Sequence, residues 1–89
     1  MIRKKIKIVN KLGLHARAAS KFVALSQGFS AEISVRMDAA NANGKSIMSM
    51  LMLGAPKDSV IELKIEGDDE ENALSALIQL IENKFDEPE

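Results

Sequence analysis

The chain alternates from its start. Ile2, Ile6 and Ile8 share one side of residues 2–9 and Arg3, Lys5 and Lys7 the other, which predicts a strand with one buried face. Gly13 then marks a turn. Residues 16–27 are rich in helix formers and place Ala16, Ala19, Phe22 and Val23 on one face. Gln27-Gly28 predicts the end of that helix, with Gly28 as a left-handed cap. Alternation returns in Ala31, Ile33, Val35 and Met37 against Glu32, Ser34 and Arg36, a second strand. Residues 38–44 are small and polar, with Asn43-Gly44 as a turn signal and room for a short third strand. Ile61, Leu63 and Ile65 alternate with Glu62, Lys64 and Glu66 as a last strand. Asp68 and Glu71 read as N-cap and capping box of a helix whose Leu74, Leu77, Ile78, Ile81 and Phe85 form a core-facing stripe.

Residues 46–56 break the pattern. Ser46 can N-cap a short helix, Gly54 can close it, and Pro56 prevents its continuation. Its interior is apolar almost all round. Ile47, Met50 and Leu53 can face a sheet, while Met48, Leu51 and Met52 point mostly elsewhere. Either the helix is sandwiched, or part of it is an exposed apolar patch for a partner, a role that flexible methionines suit. The resulting order is β-α-β-β-α-β-α. Strands with one polar face imply an α+β domain, an antiparallel or mixed sheet with helices on one side.

At 89 residues the chain makes one domain, residues 1–89, with an acidic tail from about residue 86 expected to fray. A chain this size buries only about two-thirds of its unfolded surface. With no cysteine and one histidine it offers no disulfide, no thiolate nucleophile and no donor set for a metal or other cofactor. The formal charge of −1 and the three aromatic residues argue against nucleic-acid binding. No apolar run approaches the ~20 residues of a membrane span, and Met1 to Lys5 lead into a strand and not a leader segment, so a cytoplasmic monomer is the expectation. Gly44-Lys45-Ser46 resembles the end of a phosphate-binding loop, but Ala39 stands where that loop needs glycine.

The one imidazole, His15, falls in Lys11-Leu12-Gly13-Leu14-His15-Ala16-Arg17. A helix starting near Ala16 makes His15 its N-cap, with free first-turn amides around the ring. The helix terminus favours anions, and the Arg17 guanidinium suits phosphate or carboxylate. Both disfavour a protonated imidazole, so a neutral, nucleophilic ring beside an anion site is expected, able to accept a phosphoryl group on nitrogen. A plain surface histidine at a turn is the other reading of these residues.

Gly13-Leu14-His15-Ala16-Arg17, followed about thirty residues on by Lys45-Ser46-Ile47-Met48 and then Leu53-Gly54, resembles the HPr family. These are histidine-containing phosphocarriers of the bacterial phosphoenolpyruvate-dependent phosphotransferase system, and the likeness covers essentially the whole chain. The resemblance implies an open-faced β-sandwich, with a four-stranded, mainly antiparallel sheet covered on one face by three helices. It implies a carrier, not a free-standing enzyme. His15 takes phosphate from enzyme I through Nδ1 and hands it to an EIIA-type acceptor, with Arg17 and the Ala16 amide stabilising the phosphate. It implies that Ser46 is a regulatory site for an HPr kinase/phosphorylase. It also implies that Ser20, Ile47, Met48, Leu51 and Met52 meet partners, the short helix lying beside His15 if the two helix N-termini share one end of the sheet. Many family members carry proline where Ala18 stands; alanine is compatible with a first helical turn. The alternatives are a regulatory, nitrogen-branch-like carrier, or a non-carrier interaction module working through the Ser46–Met48 helix.

Overall fold

The computed structural model describes all 89 residues. The elements are β1 (Ile2–Lys7), α1 (Ala16–Ser26), β2 (Glu32–Met37), β3 (Ala40–Asn43), α2 (Ile47–Leu53), β4 (Val60–Glu66) and α3 (Glu70–Glu82), followed by a 3-10 turn at Lys84–Asp86. The strands form one sheet in the order β1-β4-β2-β3, antiparallel at every pairing. The alternation seen in the sequence sets this register. Ile33 and Val35 lie across from Ile65 and Leu63, so one apolar row runs through β2 and β4. On the other face Glu62 pairs with both Lys5 and Arg36, opposite charges side by side in water. The helices cover the apolar face with Phe22 and Val23 from α1, Met50 and Leu53 from α2, and Leu77 and Ile81 from α3, all buried. This is the expected open-faced sandwich.

Several local expectations are corrected. Gly28 is not left-handed. Helix α1 ends on a right-handed Gln27, and the Gly28 and Phe29 amides then bond the carbonyls three residues back, a tightening turn that needs no positive φ. The buried face of α1 is Ala18, Ala19, Phe22, Val23 and Ser26, so Ala18 is inside and Ala16 outside. The Asn43-Gly44 turn forms as expected, just after β3, with the Ser46 amide on the Asn43 carbonyl at 3.1 Å; a second turn, at Asp38 (φ 54°), joins β2 to β3.

The start of α3 is displaced by one residue. Asp69, not Asp68, is the N-cap, and its carboxylate accepts from the Ser30 and Ala31 amides, both at 2.9 Å, instead of from its own helix. Glu70, not Glu71, reaches back, to the Gly67 amide at 3.3 Å. The competing tie between α3 and the start of β2 decides this register. Phe85 is buried as expected, but from the left-handed turn after α3 and not from its helical stripe.

Candidate functional site

The site begins with a buried amide. Asn10 is fully buried, and its Nδ2 donates to the Gly13 carbonyl at 2.7 Å, closing the turn before His15. Gly13 sits at φ +66°, where a Cβ would stand 2.6 Å from the Ala55 carbonyl oxygen, so this turn requires glycine. The Leu14 amide bonds that same carbonyl at 2.8 Å. His15 follows with extended backbone (ψ −176°) as N-cap of α1, and its side chain does not cap the helix. The ring is therefore free for other work, and the first intrahelical bond is Ala19 to the His15 carbonyl, 2.8 Å. The amides of Ala16, Arg17 and Ala18 precede it and have no partner within the helix. Arg17 is exposed and forms no ion pair.

The acidic tail, expected to fray, instead folds back onto the site. The Lys11 amide donates to the Glu89 carbonyl at 2.6 Å, and Lys11 Nζ lies 3.2 Å from the Glu89 carboxylate. Glu87 Oε1 accepts from Asn10 Nδ2 at 2.9 Å, and Glu87 Oε2 is hydrogen-bonded to His15 Nε2. Burial pushes the Glu87 carboxyl up, but the hydrogen bonds from Asn10 and His15 and the positive potential of Arg17 outweigh it and hold the group below its ordinary value. An open groove of about 670 Å³ results, lined by Lys11, Leu12, His15, Ala16, Arg17 and the tail. Asn10, Leu12 and Glu87 were not singled out from sequence. Leu12 is an exposed leucine beside the histidine, which a reading of periodicity passes over.

The helices α1 and α2 lie side by side in opposite directions. The start of α1 is tied to Ala55, just after α2, while Gln27 at the end of α1 donates to the Lys45 carbonyl, just before α2. The two helix N-termini therefore do not share one end, and it is the C-terminal end of α2 that lies beside His15. Ser46 lies a helix length from the His15 end, about 10 Å at the usual rise per residue. Ser46 does cap α2, its Oγ accepting from the Ser49 amide at 3.2 Å, and Gly54 closes it at φ 56°. Met50 and Leu53 point into the core. Met48 is 68% exposed and Met52 83%, with Leu51 and Ile47 partly so, which settles α2 as a half-exposed helix. Ile47 was also a candidate for the sheet-facing row and does not join it. Ser20 lies on the exposed side of α1.

An open-faced sandwich with a lone imidazole at a helix start, an uncommitted arginine and an open groove between them is the arrangement of a protein that handles phosphoryl groups. A family model described as "PTS HPr component phosphorylation site" matches residues 2–83. A phosphocarrier protein HPr from Neisseria meningitidis serogroup A is 47% identical over 89 residues, covering 100% of both chains. One from Pseudomonas aeruginosa is 48% identical over 85 residues, 94% of each chain. The crystal structure of HPr-C-His from Thermoanaerobacter tengcongensis superposes with a TM-score of 0.95 at 47% identity, covering 100% of both chains. The chain belongs to the HPr family. It is accordingly a phosphocarrier of the phosphotransferase system, not an enzyme, and it works through a phosphohistidine. No helix is long and apolar enough to cross a membrane.

Proposed function

We propose that His15 is the residue phosphorylated, taking the group from phospho-enzyme I through Nδ1 and passing it to an EIIA-type protein in the cytoplasm. The observation that carries this is the position of the only imidazole in the chain, at the start of α1 beside an unpaired Arg17 and on the edge of an open groove. Arg17 and the Ala16 amide receive the phosphate oxygens. A forked guanidinium and backbone N–H groups at a helix start both favour a dianion there. The exposed side of α2, with Met48, Leu51, Met52 and Ile47, is the docking surface, and Ser20 extends it across α1. Its apolar side chains lead from Ser46 to the His15 end, which supports a partner covering both.

Ser46 is the regulatory site, addressed by a kinase of the HPr kinase/phosphorylase type. Its hydroxyl is half-buried at the head of the docking helix, so a phosphate there adds charge to the surface a partner must cover. The experiment is intact mass after incubation with phosphoenolpyruvate and enzyme I, followed by mapping of the site. One acid-labile phosphate on His15, absent from His15→Ala, is expected. Transfer that persists in His15→Ala ends this reading.

A further inference from the structure

The His15 ring makes a single side-chain hydrogen bond, Nε2 with Glu87, and Glu87 in turn is held by the buried Asn10. We propose that Glu87, held by Asn10, is a positioning residue for phosphoryl transfer: it accepts the Nε2–H of His15, leaves the Nδ1 lone pair as the nucleophile, and faces the ring's positive charge once Nδ1 is phosphorylated. This rests on the reading of His15 as the acceptor.

The argument is one of hydrogen-bond supply. An ionised carboxylate has no proton to give, so the ring nitrogen bonded to it must bring one. In a neutral imidazole the other nitrogen then holds the lone pair. Glu87 is suited to stay ionised, since its carboxyl is held below its ordinary value and the buried Asn10 amide donates to it. Asn10 joins the two halves of the device. One Nδ2 group donates both to Gly13, in the turn that presents His15, and to Glu87, which orients the ring.

The tail is also built to deliver this carboxylate. Lys84, Phe85 and Asp86 all sit at positive φ (56°, 53° and 62°), three consecutive non-glycine residues in a costly conformation. They reverse the chain after α3 and are held by the buried Phe85, by Lys21 Nζ on the Phe85 carbonyl at 3.0 Å, and by Asn83 Nδ2 on the Asp86 carboxylate at 2.7 Å. Residue 87 is the first beyond this reversal, and its side chain is only 9% exposed.

In the transfer the Nδ1 lone pair forms the bond to phosphorus. The donor's bond to phosphorus breaks and its electron pair leaves with the donor. No proton moves: Nε2 keeps its own, and the ring becomes cationic opposite Glu87. A cationic ring is the better leaving group, so the same contact keeps the phosphoryl group transferable to the next acceptor.

The test uses the full chain with phosphoenolpyruvate and enzyme I, comparing wild type, Glu87→Ala and Glu87→Gln. Initial rates are taken against carrier concentration, with ¹⁵N-resolved spectra of the His15 ring and thermal melts as a fold control. Glu87→Ala is expected to lower kcat about tenfold or more, with a smaller change in KM, and to lose the hydrogen-bonded Nε2–H resonance. Glu87→Gln, whose Oε1 can still accept, is expected between the two. A folded Glu87→Ala or Glu87→Gln with wild-type kcat, or an Nε2–H resonance unchanged in Glu87→Ala, overturns the inference. Phosphate still accepted by His15→Ala overturns instead the assignment on which it rests.

Discussion

At the residue scale the site depends on geometry that single side chains enforce. Gly13 is the clearest case. Its φ of +66° disfavours any Cβ, and the Ala55 carbonyl 2.6 Å from that Cβ leaves no space for one. Gly13→Ala is therefore expected to lose about 1–3 kcal/mol of stability from strain and displaced contacts, measured by denaturant unfolding. It also shifts the turn that carries His15, so its phosphorylation rate falls as well; an unchanged unfolding midpoint would contradict the reading of this turn. Arg17 acts differently. It is exposed and unpaired, so it contributes little to the fold, and Arg17→Ala should leave the melting temperature within a degree or two. Losing a charge-assisted contact to phosphate of about 1.5–3 kcal/mol corresponds to roughly 10- to 100-fold in phosphorylation rate. A rate within twofold of wild type would remove Arg17 from the site.

At the scale of elements, punctuation proved more legible than packing. Ser46, Gly54 and Pro56 were enough to bound α2, because caps are local and a few residues fix them. Which face of α2 meets the core depends on distant partners, so Ile47 could be placed either way until α1 and the sheet were present. The α3 start shows the same limit: Asp68 and Glu71 fit a capping box as well as their neighbours, and only the Ser30 and Ala31 amides select Asp69. Glu87 was invisible for the strongest reason, since its contact with His15 spans 72 residues and carries no periodicity. Two outcomes separate the roles of α2. Ser46→Ala removes the bond to the Ser49 amide and should cost about 1 kcal/mol. Met52→Glu changes a side chain that is 83% exposed, so stability should hold while the KM for enzyme I rises severalfold. Equal phosphorylation kinetics for Met52→Glu and wild type would mean that α2 is not the docking element.

For the whole molecule, the ties that close the fold are mostly carboxylates at the joins between elements. Asp69 links α3 to the start of β2, Glu70 links α3 to the N-terminus at 2.9 Å, and Glu87 links the tail to the site. All three carboxyls sit below their ordinary values. For Asp69 the leading cause is the Ser30 amide, opposed by partial burial and aided by Ala31. For Glu70 it is the hydrogen bond from the terminal amine, then the Gly67 amide. For Glu87 burial acts in the raising direction and is outweighed by Asn10, His15 and Arg17. A carboxyl depressed in the folded state binds fewer protons than its unfolded counterpart, so its contribution is complete above the unfolded values, about 3.9 for aspartate and 4.3 for glutamate. It is lost as pH falls through the lower folded values. The melting temperature should thus be nearly flat from about pH 7 to 5 and fall progressively below about pH 4.5. Because these ties are separate, Asp69→Asn should remove its own share of that acid slope while leaving the contribution of Glu87 in place. Melting curves of Asp69→Asn and wild type that stayed parallel below pH 4.5 would show that the link between α3 and β2 does not govern acid stability.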